Sequence, residues 1–86
     1  MWRCAMPAEV LVRVVDADTG RPLPWVAVML DSRQAITDST GTARLVVPPG
    51  RYTLKVRSLA YRPYTRAIIA REGVNRLTVR LARALL

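Results

Sequence analysis

Short runs in which apolar and polar residues alternate follow one another along the chain, and clusters of Gly, Pro, Asp and Ser separate them. Successive side chains of a β-strand point to opposite faces, so these runs predict strands with one buried face. No segment carries a convincing 3.6-residue apolar period, so no helix is expected in the body of the protein. The predicted strands are 9–16, 25–31, 34–37, 42–47, 51–58, 63–70 and 74–82.

The turns between these strands carry their own signals. In residues 37–54, TDSTGTARLVVPPGRYTL, the motifs D-S-T-G and P-P-G bracket one strand. Asp38 suits the first position of a type I turn, and Gly41 suits the position where φ is positive. Pro48 and Pro49 lack the N–H that a central strand needs, so the strand must end there. Seven short strands punctuated in this way predict an all-β sandwich.

The chain has 86 residues, which is enough for one domain. We expect the sandwich over 9–82, an N-terminal segment over 1–8 and a C-terminal tail over 83–86. No apolar run approaches the roughly 18 residues of a transmembrane helix. The start, MWRCAMP, lacks the apolar stretch of a signal peptide. The compartment is therefore open: either the protein stays inside the cell, or a leader or larger parent protein precedes this chain.

The charge balance is strongly basic, with 14 Lys and Arg against 6 Asp and Glu and a formal net charge of +8. Such a balance favours polyanions or acidic surfaces as partners. Histidine is absent, so a Ser–His, Cys–His or His–metal site cannot be built. The single cysteine, Cys4, excludes an internal disulfide and is interpreted as a bystander thiol. We therefore predict no enzyme, no metal and no cofactor.

The order VRVVDADTGRPLPWVAVML, ITDSTGTARLVVPPGRYTLKV and LAYRPY resembles the carboxypeptidase regulatory-like domain. The resemblance covers about residues 9–81 and rests on a strand ending in Asp, a T-G-x-P-L turn, a T-D-x-x-G turn and a P-x-G-x-Y motif. It implies a seven-stranded antiparallel Greek-key β-sandwich of the transthyretin type. It also implies a non-catalytic spacer, docking unit or folding aid, with an extracellular or cell-surface location favoured.

Two positions depart from that family pattern. Trp25 stands where the family usually has a small residue, often Gly, which puts a large aromatic side chain near the mouth of a turn. Ala60 replaces the Gly before Tyr61, which suggests a less constrained turn.

Apolar residues occupy both faces of the first two predicted strands, which is more than one core requires. A soluble monomer seldom exposes an apolar patch above several hundred Å². The outward set is therefore predicted to contact a partner protein or a second copy of the chain; it consists of Leu11, Val15, Trp25, Ala27 and Met29. The alternative for Trp25 is that its ring folds over a sheet edge or packs on the N-terminal segment.

Basic residues fall at outward positions of several strands. These are Arg13, Arg44, Arg51, Lys55, Arg57, Arg76 and Arg80. If some of them share a sheet, they form a face that binds nucleic acid or another polyanion. The alternative is a solvated face, because none of the five aromatic residues alternates with these arginines as a stacking platform would.

The D-x-D-x-G motif at 16–20 has the look of a calcium loop. If each strand reverses the one before, the turns at 16–24, 38–41 and 58–63 share one end of the sandwich. The predicted ligand end then comprises Asp16, Asp18, Asp38, Arg21 and Arg62. The alternative is that these aspartates cap turns beside arginine partners.

Three functions follow from these observations. The first is a non-catalytic module for protein docking or self-assembly, as part of a surface, filament or particle, or as an accessory domain. The second is a basic adaptor for nucleic acid or another polyanion. The third and weakest is a small-ligand or Ca²⁺-binding module.

Overall fold

The computed structural model describes residues 6–84, which form two β-sheets packed face to face. The seven strands are β1 (Ala8–Asp16), β2 (Ala27–Leu30), β3 (Arg33–Ile36), β4 (Thr42–Val47), β5 (Gly50–Arg57), β6 (Tyr64–Ala70) and β7 (Gly73–Leu81). The predicted all-β architecture with seven strands is confirmed. Residues 6–84 contain no helix with the length and hydropathy needed to cross a bilayer. Cys4 and the outermost residues of both predicted terminal segments lie outside the described residues.

The strands divide into a three-stranded sheet, β4-β1-β7, and a four-stranded sheet, β3-β2-β5-β6. The prediction of a wholly antiparallel sandwich is wrong for one pair, because β1 and β7 run parallel over Ala8–Asp16 and Gly73–Leu81. The reason lies in the strand numbering: because every strand reverses the direction of the one before it, all odd-numbered strands run in the same direction. Two odd-numbered neighbours must therefore pair in parallel. All other strand pairs are antiparallel, and the Greek-key description stays a prediction.

The core lies between the sheets and is built from alternate residues of the strands. On β1, Val10, Val12 and Val14 are fully buried, and on β2 Val28 and Leu30 are as well. Strands β4 to β7 supply Ala43, Leu45, Val47, Leu54, Val56, Ile68, Ala70, Val79 and Leu81. A fully buried Val or Leu side chain stabilises the fold by roughly 1.5–3 kcal/mol. Leu11, Ala27 and Met29, which were predicted to face outward, alternate with these buried residues, whereas Val15, also predicted to face outward, is only 7% exposed where it pairs with Pro22.

The second strand is shorter than predicted, and the difference concerns Trp25. Strand β2 begins at Ala27, whereas Trp25 precedes it with a φ of +62°. Pro22 and Pro24 cannot donate to a ladder, so the chain reaches β2 through a loop. Trp25 and Met29 are therefore not two positions of one strand face.

The turns that join odd-numbered to even-numbered strands meet at one end of the sandwich. The Tyr61 hydroxyl reaches Asp16 across this end, with 2.6 Å between the oxygens. The buried Gly41 lies against the 22–23 segment, and its carbonyl accepts a bond of 2.8 Å from the Val14 N–H. This is the arrangement that strict strand reversal predicts.

Gly41 and Gly20 offer a matched test of how closely this end is packed. Both have positive φ, +77° and +74°, but a Cβ on Gly41 would lie 2.8 Å from the Pro22 Cβ, whereas one on Gly20 would meet nothing within 4 Å. Gly20→Ala is expected to cost about 1 kcal/mol from the left-handed backbone alone. Gly41→Ala is expected to cost about 3 kcal/mol or more, since a steric clash adds to that strain. Urea unfolding of both variants measures the difference, and equal costs would contradict the close packing.

Candidate functional site

An apolar groove of about 520 Å³ opens on the outer face of the four-stranded sheet, at the end where the turns meet. Its floor comes from Ala27, Ile36 and Arg57, which are neighbours across β3, β2 and β5. Trp25 and Leu59 stand on the two flanking loops and are 74% and 94% exposed. We call this the Trp25 groove, and its lining is Trp25, Ala27, Ile36, Arg57, Ser58, Leu59, Tyr61 and Pro63.

The loop that carries Trp25 is held by the buried Thr37, which directly follows β3. The Thr37 hydroxyl accepts a hydrogen bond from the Val26 N–H and donates one to the Leu23 carbonyl, both at 2.8 Å. The Thr37 N–H donates to the Val26 carbonyl at 2.9 Å, and the Thr37 carbonyl accepts from the Trp25 N–H at 3.0 Å. Four hydrogen bonds from one residue therefore fix the backbone beneath an exposed indole.

The loop that carries Leu59 is held by the Asp16 carboxylate at the end of β1. Tyr61 donates its hydroxyl to Asp16 Oδ2 at 2.6 Å, and Arg83 Nε donates to the same oxygen at 3.2 Å. Two backbone bonds tie the loop to the residues after β7: the Arg62 N–H to the Ala82 carbonyl at 2.8 Å, and the Ala84 N–H to the Ala60 carbonyl at 2.9 Å. Leu59 thus projects from a loop anchored at three places.

The Asp16 carboxylate is ionised although it is only 2% exposed. The hydroxyl of Tyr61 is the main reason that its pKa lies well below the ordinary 3.8, and the N–H groups of Thr19 and Asp18 lower it further, against the effect of burial. The same bond raises the pKa of Tyr61, and Asp16 also raises the pKa of Arg83. Protein donors therefore satisfy this carboxylate from both sides.

Both loops hold a residue other than glycine in the left-handed backbone region. Trp25 has a φ of +62° and Ala60 one of +69°. The expectation that Ala60 relaxes its turn is wrong, because the backbone keeps the conformation that glycine adopts easily. Each such residue lowers the folding stability by an amount of order 1 kcal/mol, so this backbone conformation persists only where surrounding contacts hold it. The hydrogen bonds of Thr37 and Asp16 supply that hold.

The predicted partner interface is divided between the two sheets. Trp25, Ala27 and Met29 lie on the side of the four-stranded sheet, and Trp25 and Ala27 line the groove. Leu11 and Val15 lie on β1, in the three-stranded sheet, and Val15 is only 7% exposed. The exposure of Trp25 also shows that its ring does not fold over a sheet edge. The other alternative, packing of Trp25 on the N-terminal segment, concerns residues 1–5, which lie outside the described part of the chain.

The predicted basic residues are likewise divided. Arg51, Lys55 and Arg57 project from β5 on the four-stranded sheet. The remaining four share the outer face of the three-stranded sheet: Arg13, Arg44, Arg76 and Arg80. Arg44 pairs there with Glu9, with 3.0 Å between Nε and Oε1.

The predicted ligand end is only partly brought together. Asp16 and Asp18 line a groove of about 420 Å³, where their basic neighbours are Arg13 and Arg80 instead of Arg21 and Arg62. Asp38 lines no part of this groove. Its Oδ1 atom accepts hydrogen bonds within its own turn, from the Thr40 hydroxyl and from the N–H groups of Thr40 and Thr42. The Thr40 hydroxyl is the main reason that the pKa of Asp38 is lowered. Within residues 6–84, no three acidic or cysteine side chains are grouped to hold a metal ion.

Five residues of the Trp25 groove were missed from the sequence: Ile36, Ser58, Leu59, Tyr61 and Pro63. Leu59 had a local signal, since an apolar residue in the turn S-L-A-Y has no place in a core. Ile36 and Tyr61 had none, because only the pairing of β2 with β3 and the bond from Tyr61 to Asp16 place them beside Trp25.

A family model described as the carboxypeptidase regulatory-like domain matches residues 9–82, which confirms the resemblance seen in the sequence. No curated protein sequence gives a significant match.

Solved structures show the same fold. The Bacillus anthracis TIE protein matches with a TM-score of 0.73 and 16% identity, over 91% of this chain and 17% of that one. A type II cohesin–X-dockerin complex from Acetivibrio cellulolyticus matches with a TM-score of 0.66 and 20% identity, over 86% of this chain and 56% of that one. The Caf1A usher C-terminal domain matches with a TM-score of 0.57 and 14% identity, over 87% of this chain and 97% of that one. The chain thus spans 17% and 56% of the first two, and identities this low establish the fold alone.

Replacing Thr37 tests whether one hydroxyl holds the Trp25 loop. Thr37→Val keeps the shape but leaves the Val26 N–H and the Leu23 carbonyl without their partner, so we expect a loss of about 2–4 kcal/mol in unfolding free energy. Thr37→Ser keeps the hydroxyl and is expected to cost about 1 kcal/mol for the lost methyl group. Urea unfolding gives the energies, and amide hydrogen exchange at Val26 should rise in Thr37→Val only. Unchanged protection of Val26 would contradict this role.

The lowered pKa of Asp16 predicts how stability depends on pH. A depressed carboxylate pKa contributes stability that is complete above the unfolded value of about 3.8 and is lost as pH falls toward the folded value. The urea midpoint of Asp16→Asn should therefore lie furthest below that of the unmodified protein near pH 7, and the gap should narrow below about pH 4. Asp18→Asn removes an exposed carboxylate from the same turn and serves as the control for the loss of one negative charge. A gap for Asp16→Asn that stayed constant from pH 7 to 3 would contradict the assignment.

Proposed function

Because the chain belongs to the carboxypeptidase regulatory-like domain family, we propose that it is a non-catalytic β-sandwich module that docks onto another protein through the Trp25 groove. The observation that carries this proposal is the placement of the two most exposed large apolar side chains among residues 6–84. Trp25 and Leu59 face solvent on loops whose backbones are fixed by buried hydrogen bonds. A rigid, exposed apolar cluster beside a cationic group suits recognition of a partner.

One solved relative supports the idea of docking through surface apolar residues. Conserved hydrophobic clusters on the surface of the Caf1A usher C-terminal domain are described as important for F1 antigen assembly. We propose the same kind of use for the Trp25 groove, with a different partner. The backbone strain at Trp25 and Ala60 supports it too, since strained residues concentrate at binding and catalytic sites.

Charge favours a foreign partner over a second copy of the chain. Arg57 lies in the groove, and Lys55 is two residues away on the same face of β5. A two-fold interface would place each groove opposite an identical one, and these cations would repel each other. No acidic side chain lines the groove. The partner we propose therefore offers a large apolar side chain next to a carboxylate that pairs with Arg57.

Peptide selection tests the groove without knowledge of the natural partner. Random 12-residue peptides displayed on phage are selected on the immobilised protein, and those that also bind Trp25→Gly/Leu59→Ser are removed. We expect the surviving peptides to contain an aromatic or aliphatic anchor and an acidic residue. Leu59→Ser should weaken their binding about tenfold or more, because burial of this side chain is worth about 2 kcal/mol.

Val74→Ser is the matched control, since Val74 is an aliphatic residue on the other sheet and is 57% exposed. It should leave peptide affinity within a factor of two. Sedimentation velocity up to millimolar concentration distinguishes self-assembly, which would appear as an oligomer that Leu59→Ser disrupts. Selected peptides that bind Leu59→Ser and the unmodified protein equally would contradict the proposed site.

A further inference from the structure

We propose that the outer face of the three-stranded sheet is a second binding surface, which takes the sugar–phosphate backbone of a nucleic-acid duplex without reading its sequence. The face lies on the opposite side of the sandwich from the Trp25 groove, so it is independent of the docking function. Its centre is three arginines, Arg13 on β1 and Arg76 and Arg80 on β7. We call these residues the arginine triad.

Strand register brings the triad together. Arg13 pairs with Thr78, and Arg76 and Arg80 lie two residues to either side of Thr78 on the same face of β7. At about 3.3 Å per residue, Arg76 and Arg80 are about 13 Å apart along the strand, with Arg13 beside their midpoint. Three guanidinium groups on two adjacent strands can therefore follow consecutive phosphates of one backbone.

No residue of the triad forms an ion pair in the part of the chain that the structure describes. Within residues 6–84 the ion pairs are Arg44 with Glu9 and Arg83 with Asp16, and neither includes a triad residue. Other aspartates are engaged at turns, where Asp31 accepts the Thr53 N–H at 2.9 Å and Asp38 accepts the Thr40 N–H at 2.8 Å. The aspartates therefore lie at the ends of the sandwich, whereas Glu9 lies on the same face as the triad and pairs with Arg44. At the β1 end, the exposed Asp18 limits the positive face.

The neighbours of the triad favour phosphate over the alternatives. Thr42 and Thr78 flank Arg13 across the sheet, so hydroxyl donors lie beside the central guanidinium. Guanidinium and hydroxyl groups are the usual donors to phosphodiester oxygens. No aromatic residue belongs to β1, β4 or β7, so unpaired bases find nothing to stack on. A duplex, whose phosphates face outward and whose bases are already stacked, is the ligand that fits a face with arginines and without aromatic side chains.

The test uses a fluorescein-labelled 20-base-pair DNA duplex and fluorescence anisotropy between 50 and 200 mM NaCl. Three phosphate contacts predict a slope of about −3 for the logarithm of the association constant against the logarithm of salt concentration. Arg13→Gln/Arg76→Gln/Arg80→Gln should weaken binding at least tenfold at 50 mM salt and bring the slope close to zero. The melting temperature of each variant confirms that it is folded.

The matched control is Arg51→Gln/Lys55→Gln/Arg57→Gln on the other sheet. Each triple variant removes three positive charges from the formal +8, so both have the same net charge. The control should keep its affinity within about threefold. Equal loss in the two variants would overturn the proposal, because binding would then follow net charge and not the triad.

Three further outcomes would overturn the choice of ligand. Tighter binding of single-stranded DNA of the same length would indicate base stacking. Equal competition by poly-glutamate, matched in charge to the duplex, would indicate a general polyanion site. Triad-dependent binding to vesicles with 30% phosphatidylserine, without duplex binding, would identify a membrane surface as the partner.

Discussion

The structure depends on the burial of alternate side chains from seven short strands in one shared layer. No strand is longer than nine residues, and no single hairpin could bury enough apolar surface to be stable alone. The inward valines and leucines of β1, β2 and β5 pack together only when both sheets are present, so the fold forms as a unit. The same requirement leaves every second residue of each strand free to face solvent, and these positions carry the surfaces proposed to bind partners.

Two buried polar residues hold the loops at one end of the sandwich in fixed positions. Thr37 and Asp16 are the buried polar or charged side chains within the described residues, and each holds one loop of the Trp25 groove. Because their partners are backbone groups, a tyrosine hydroxyl and an arginine, they are satisfied without any bound ligand. The groove is thereby organised in advance of binding, which lowers the entropy that a partner has to overcome.

The two outer faces differ in chemistry because the two sheets differ in what their outward positions carry. The four-stranded sheet and its flanking loops present Trp25, Ile36 and Leu59 near Arg57, whereas the three-stranded sheet presents arginines and threonines, with Val46 and Val74 nearer its other end. The groove proposed for docking and the face proposed for phosphate binding lie on opposite sides of the module, so both proposed partners can be bound at once. Neither contact needs histidine, metal or an activated nucleophile, which agrees with the composition of the chain.

The sequence by itself determined the strands, their inward residues and the turns, because a period of two, prolines and turn glycines act locally. It also led to the family, and it drew attention to Trp25 and to the excess of arginine. Only the tertiary structure decided that Leu11 and Ala27 lie on different sheets, that β1 and β7 pair in parallel, and that Leu59 stands beside Trp25. These facts depend on which strands become neighbours although they are far apart in the sequence, and the alternation of polar and apolar residues does not specify that pairing.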